Sequence, residues 1–153
     1  MSSDVMSRLL IAGLVTGVTD GLFSSGLAAF VYGSTVTRLW QGVASTLLGA
    51  AAFEGGTRTA AIGLLMHCGV AFTWSAVFLA LVLSSSWIRG AIASPVGVLT
   101  AAALYGPAIW LVMSLAIIPL LTHRPPAINI RWWVQFFGHI PFVALPIVLS
   151  VRS

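Results

Sequence analysis

The sequence predicts an all-α integral membrane protein with four transmembrane helices and one short re-entrant or interfacial helix. Hydrophobic residues make up 59% of the 153 residues and charged residues only 7%, whereas a soluble domain is about one-quarter charged. Four apolar runs are each long enough to cross a hydrocarbon core about 30 Å thick. Because these runs leave almost no residues for a soluble domain, we expect a single multi-pass membrane domain over residues 1–153.

The four predicted spans begin and end near polar or aromatic residues. They cover about residues 9–32, 59–83, 95–121 and 132–151. The first run is longer than the apolar core of a signal peptide, so we interpret it as an uncleaved span. Tryptophans lie near the predicted ends of the helices, as in the aromatic belt of a membrane protein. These are Trp40, Trp87, Trp132 and Trp133.

A short helix is predicted between the first two spans, at about residues 39–53. About 15 residues measure roughly 22 Å at the helical rise, which is too short for a full span. Gly55 and Gly56 follow it and mark a turn, because glycine readily adopts a positive φ. Thr57 is then expected to cap the next helix through its side-chain oxygen. The short helix is therefore predicted to re-enter the membrane or to lie at its interface.

The net charge of +4 comes from arginine, since the chain has no lysine. The arginines occur singly at the ends of the predicted spans, which favours anchoring at lipid headgroups over nucleic-acid binding. We expect the lipid bilayer as a partner and no nucleic acid. Three arginines fall on one side of the membrane (Arg8, Arg89, Arg152) and four on the other (Arg38, Arg58, Arg124, Arg131). A difference of one does not set the orientation.

Asp20 lies in the first span, where an ionisable side chain costs a few kcal/mol or more and is a functional candidate by default. Thr16 and Ser24 lie one turn away on either side, so the three residues share one helical face. A stripe of glycines runs beside this face, at Gly13, Gly17 and Gly21. Small residues at this spacing let a neighbouring helix approach closely. We predict that Asp20 points into the bundle, with His67 and His139 as its first candidate partners.

His67 and His139 lie in the second and fourth spans, which run in the same direction in a four-span bundle. Their depths are predicted to differ by about 5 Å, so the two side chains are expected to meet. Three interpretations stay open. The histidines form structural hydrogen bonds that fix the helix register, or they change charge in turn with Asp20 along a proton or ion pathway. In the third, they are the axial ligands of a haem b bound between the helices.

Glu54 stands at the end of the short helix and has two alternative roles. It forms an ion pair with Arg58 four residues later, or it lines a cavity if the short helix re-enters the membrane. Motifs of nucleophilic, zinc or nucleotide-binding sites (GxSxG, HExxH and the P-loop) are absent from the sequence. Cys68 is the single cysteine. We therefore expect neither an enzyme nor a metal site, and no cofactor other than the haem alternative.

Two stretches resemble the YagU-like family of uncharacterised bacterial inner membrane proteins. They are HCGVAFTWSAVFLAL from His67, and IPLLTHRPPAINIRWWVQFFGHI from Ile118 to Ile140. The shared features are a histidine opening an aromatic and small-residue helix, paired prolines in a loop, and a Gly-His pair. The matching positions are His67, Pro119, Pro125, Pro126, Gly138 and His139. The resemblance implies a small multi-pass protein of the bacterial inner membrane.

Taken together, these features predict a membrane protein that moves protons, ions or a small solute. Its predicted intramembrane polar site consists of Asp20, His67, His139 and Glu54. The alternatives are a bis-histidine haem-binding subunit and a structural accessory subunit of a larger membrane complex. A homo-oligomer is also predicted as an alternative, because a small-residue face that is not used internally can bind another copy.

Overall fold

The computed structural model describes residues 3–152 and contains six α-helices over this range, with a short 3-10 helix, Gly49–Glu54, between the second and the third. In chain order they are α1 (Ser3–Val31), α2 (Val36–Leu48), α3 (Gly56–Ser84), α4 (Ser86–Ala91), α5 (Pro95–Thr122) and α6 (Ile130–Arg152). Helices α1, α3, α5 and α6 are long and apolar enough to cross a membrane. No strand occurs in residues 3–152. The predicted all-α membrane fold is confirmed.

The four long helices form a bundle in which neighbours in the chain run antiparallel. Residues later in one helix contact residues earlier in the helix beside it. The contacts are Gly13 with Phe72 and Gly21 with His67 between α1 and α3, Arg8 with Val151 and Thr19 with Phe142 between α1 and α6, and Gly106 with His139 and Ser114 with Trp132 between α5 and α6. The end where α1 and α5 begin is called here the amino-terminal end, and the other is called the opposite end.

A buried apolar core fills the bundle toward the amino-terminal end. Every long helix contributes to it, and three of the α6 side chains are completely buried. The members toward that end are Ala12, Phe78, Leu79, Val82, Val98, Ile147, Val148 and Val151. Large apolar side chains such as Leu14, Val18 and Leu22 point outward and are exposed, as expected for a surface in contact with lipid. The buried polar residues lie outside this core, in the middle of the bundle.

Helix α2 does not span, because it joins the end of α1 to the start of α3 and both lie at the opposite end. It packs on the first part of α3: Gln41 Nε2 donates a hydrogen bond to the Gly56 carbonyl at 3.1 Å, and the α2 backbone at Trp40 lies against Gly63. The Trp40 ring reaches His67, about 16 Å along α3 from its first residue. This depth fits the re-entrant alternative better than the interfacial one.

The turn between α2 and α3 differs from the prediction in one respect. Gly56 has the expected positive φ, at 56°. The predicted cap by Thr57 is wrong, because α3 already begins at Gly56 and its N-cap position is Gly55. The hydroxyl of Thr59 closes the turn instead by donating to the Ala52 carbonyl at 2.6 Å.

The aromatic belt is present only in part. Trp87 and Trp133 are exposed near helix ends, as predicted. Trp40 and Trp132 are buried in the protein, so these two rings do not face the lipid headgroups. Each is held inside by a specific contact: Trp40 packs on Gly21, and Trp132 Nε1 donates to Ser114 Oγ at 3.1 Å.

The close approach of α2 to α3 predicts that Gly63→Ala will destabilise the fold. A Cβ atom at this position would collide with the Trp40 carbonyl, and overpacking of this kind costs about 1–3 kcal/mol. The measurement is the thermal unfolding midpoint of the purified protein in detergent. Gly69→Ala on the same helix is the matched control, since nothing lies within 4 Å of its added Cβ. Equal midpoints for the two variants would contradict the described packing.

Candidate functional site

Asp20 and His67 face each other across the contact between α1 and α3. Asp20 Oδ2 lies 3.8 Å from His67 Nδ1, and the two side chains are only 14% and 13% exposed. The other ring nitrogen, Nε2, lies 3.1 Å from the carbonyl oxygen of Gly17. His67 therefore contacts two successive turns of α1, one through the backbone and one through the carboxyl group.

These contacts constrain where protons reside. A carbonyl oxygen can only accept, so the bond to Gly17 requires a proton on His67 Nε2. Nδ1 then faces Asp20 with a lone pair, unless it also carries a proton. Two acceptors facing each other repel, so the favourable states place one further proton on either Nδ1 or the carboxyl group. A proton on either group would then face an acceptor atom of the other.

The glycine stripe on α1 packs against α3 at and around His67. A Cβ at Gly21 would lie 3.6 Å from His67 Nε2, and one at Gly17 would lie 3.9 Å from Cys68 Sγ. At Gly13 the ring of Phe72 fills the space that a side chain would need. The predicted packed face is confirmed, and the helix that covers it is α3.

His139 approaches the same carboxyl group from α6. Its Nδ1 lies 2.7 Å from the Gln135 carbonyl, one turn earlier, so this nitrogen is the donor. Its ring packs against Trp110 of α5, with centroids 4.9 Å apart. Asp20 interacts electrostatically with both His139 and His67. The structure thus brings together three of the four predicted site residues, each from a different helix.

Glu54, the fourth predicted residue, does not join this group. It is exposed at the end of the short turn after α2, 13 residues before His67, or about 20 Å along the chain at helical rise. No ion pair between Glu54 and Arg58 occurs within residues 3–152. Placing Glu54 in the polar site was therefore wrong. The residue that reaches into the bundle from α2 is Trp40, and the turn that carries Glu54 does not enter it.

Four buried polar atoms around the site have no hydrogen-bond partner within the described residues. They are Asp20 Oδ1, Thr16 Oγ1, Ser75 Oγ and Trp110 Nε1. Thr16 lies one turn from Asp20, and Ser75 two turns from His67, both toward the amino-terminal end. Buried polar groups are normally satisfied, so a cluster of unsatisfied ones calls for water or another polar species.

The sequence pattern placed Thr16 on the same helical face as Asp20 but gave neither Thr16 nor Ser75 a role in the site. The signal that could have found them is a hydroxyl side chain on the same helical face, four residues before Asp20 for Thr16 and eight residues after His67 for Ser75. Trp40 and Trp110 were missed as residues of the site. The sequence around a tryptophan within or beside an apolar run does not show whether its ring packs in the core or contacts a histidine.

A haem bound by both histidines does not fit this arrangement. Both ring nitrogens of His67 face protein atoms, since Nε2 contacts Gly17 and Nδ1 faces Asp20. Axial ligation would break one of these contacts and separate α3 from α1. Within residues 3–152, no group of three or more His, Cys, Asp or Glu side chains is placed to hold a metal ion.

No protein-family model, curated protein or solved structure matches this chain. The resemblance to the YagU-like family stays a prediction. The functional argument therefore depends on the geometry of the polar site.

The contact between Gly17 and Cys68 allows a single substitution to test the α1–α3 packing around the site. Gly17→Cys is expected to form an intrachain disulfide with the native Cys68 under mild oxidation, because a Cβ at position 17 would lie 3.9 Å from Cys68 Sγ. Intact mass spectrometry would detect the loss of two hydrogens, reversed by reductant. Gly26→Cys, with nothing within 4 Å of its Cβ, should form no such bond. An uncrosslinked Gly17→Cys variant would show that the two helices pack differently.

Proposed function

We propose that this protein conducts protons across its membrane, with Asp20 as the central proton-binding group and His67 and His139 as its exchange partners. The observation that carries the proposal is the carboxyl–imidazole pair inside an apolar bundle, with Asp20 Oδ2 and His67 Nδ1 3.8 Å apart. One oxygen of the carboxyl group is buried without a hydrogen-bond partner. Ionisable residues in spans commonly mark such relays.

Protons suit the site better than metal cations or larger solutes. Two imidazoles flank one carboxyl group, and each imidazole becomes cationic when it accepts a proton. Within residues 3–152 no group of three or more His, Cys, Asp or Glu side chains is placed to hold a metal ion, whereas a proton needs only one acceptor at a time and can move from one group to the next. The contact between Asp20 Oδ2 and His67 Nδ1, at 3.8 Å, is longer than a hydrogen bond of about 2.7–3.2 Å. A single water, or a small side-chain rotation, closes the gap.

The hydroxyls of Thr16 and Ser75 extend the polar line from Asp20 and His67 toward the amino-terminal end. Beyond them lies the apolar core, which excludes bulk water. In this proposal the apolar core is the barrier to protons, and the two hydroxyls are the last polar groups before it. Conduction past them requires transient water in the core, so we expect slow turnover rather than open-channel rates. By its resemblance to the YagU-like family, the membrane is proposed to be the bacterial inner membrane.

Asp20→Asn is expected to reduce proton flux about tenfold or more, because an amide keeps the shape of the carboxyl group but cannot exchange a proton. The measurement is dissipation of an imposed pH gradient across liposomes containing purified protein and a pH-sensitive dye. Glu54→Gln is the matched acidic control and should keep the wild-type flux, since Glu54 is exposed outside the site. The proposal fails if wild-type liposomes dissipate the gradient no faster than empty ones, or if Asp20→Asn conducts normally.

Thr16→Val separates a conducting role from a structural one. Thr16 is 1% exposed and its hydroxyl has no partner, so its removal should leave the unfolding midpoint unchanged or raised. We nevertheless expect the flux to fall about threefold or more, because a relay loses one polar station. Thr73→Val is the control, since that hydroxyl is exposed and donates to the carbonyl of Gly69. A stable Thr16→Val variant with wild-type flux would remove Thr16 from the pathway.

A further inference from the structure

A cavity of about 350 Å³ opens at the amino-terminal end of the bundle, and arginines from three helices line it. Arg8 comes from α1, Arg89 from α4 and Arg152 from α6. Arg8 lies 12 residues before Asp20, or about 18 Å along α1, and the apolar core stands between them. The cavity is therefore separate from the polar site, and its chemistry does not depend on the proposed function.

Backbone carbonyls hold each arginine in place. Arg89 Nη1 donates to the carbonyls of Val82 at 2.7 Å and Leu83 at 3.0 Å. Arg152 Nη2 donates to the Ala93 carbonyl at 2.8 Å, and Arg8 Nη1 to that of Val151 at 3.2 Å. These bonds orient the guanidinium groups without neutralising them.

The charge of the cavity is only partly balanced. Asp4 pairs with Arg8 Nη2 at 3.1 Å, but no other carboxylate forms an ion pair with these arginines within residues 3–152. A guanidinium group has five N–H donors, and the contacts with protein use only some of them. Arg8 Nε is buried and has no hydrogen-bond partner among residues 3–152. Three guanidinium groups with spare donors, facing one concave space, form a site for an anion.

Phosphate is the anion that this position favours. Arginine binds phosphate oxygens through paired N–H donors, and basic pockets at the ends of transmembrane helices bind phospholipid headgroups. The buried side chains of Val82, Ile92 and Val151 also line the cavity, which suits the glycerol part of a lipid. Trp87, close to Arg89 in the chain, is exposed at this end, as an interfacial anchor would be.

We propose that this cavity binds a phosphate group, carried either by an anionic phospholipid or by free phosphate. The first test uses the full-length wild-type protein in detergent. Native mass spectrometry would compare its binding of phosphatidylglycerol and of phosphatidylcholine, whose choline carries a compensating positive charge. A preference for phosphatidylglycerol is expected. In a second arm, inorganic phosphate is added and the unfolding midpoint is measured.

Variants locate the binding. Arg89→Gln and Arg152→Gln are each expected to weaken phosphatidylglycerol binding about fivefold, and Arg58→Gln at the opposite end should not. Arg152 makes a single backbone contact from an exposed position, so this variant still reports if Arg89→Gln fails to fold. A second outcome supports the same site with free phosphate as its ligand. In that outcome the two lipids bind equally, and inorganic phosphate raises the unfolding midpoint of the wild type but not that of Arg152→Gln. Equal lipid binding with no response to phosphate overturns the proposal, and so does an equal loss of binding in Arg58→Gln.

Discussion

The constraint on which this fold depends is that a carboxyl group within apolar helices must find its partners in the protein. No water surrounds a transmembrane helix at mid-depth, so an unpartnered carboxylate there is costly. Asp20 meets this requirement in part, through His67 at 3.8 Å and through its electrostatic interaction with His139. The two histidines belong to α3 and α6, so one side chain links both helices to α1. The polar cluster thus adds to the contacts that set the register of these three spans.

The glycine face of α1 lies against α3 and carries the bond from His67 to the Gly17 carbonyl. An added Cβ would make ordinary contacts at Gly17 and Gly21, but at Gly13 it would collide with the ring of Phe72. Trp40 then covers the histidine from α2, with ring centroids 5.0 Å apart. Helix α2 is held at that depth by the backbone contact at Gly63. Backbone contacts at glycine thus position the rings around the polar site, so α2 is part of the site's wall as well as a connection.

The sequence predicts what depends on local patterns. Span number follows from run length and hydropathy, and the face of Asp20 follows from i,i+4 spacing, so both could be read directly. The proximity of His67 and His139 followed from span direction and depth alone. The depth of α2 could not be predicted, because it is set by contact between Trp40 and Gly63, which are distant in the chain. The error at Glu54 has the same origin: it assumed that the turn, and not the tryptophan, would enter the bundle.

The apolar core, which stabilises the fold, and the polar site lie in different parts of the bundle. Toward the amino-terminal end the apolar core fixes the helices, so the polar site in the middle can keep unsatisfied groups at Thr16, Ser75 and Trp110 without loosening the fold. A structural role alone would favour satisfying or removing these groups, since each unpartnered buried polar atom costs about 1–3 kcal/mol. In the proposed proton pathway, these groups near the carboxyl–imidazole pair become hydrogen-bond partners of water or of a passing proton, and the pathway thus accounts for their lack of a partner within residues 3–152.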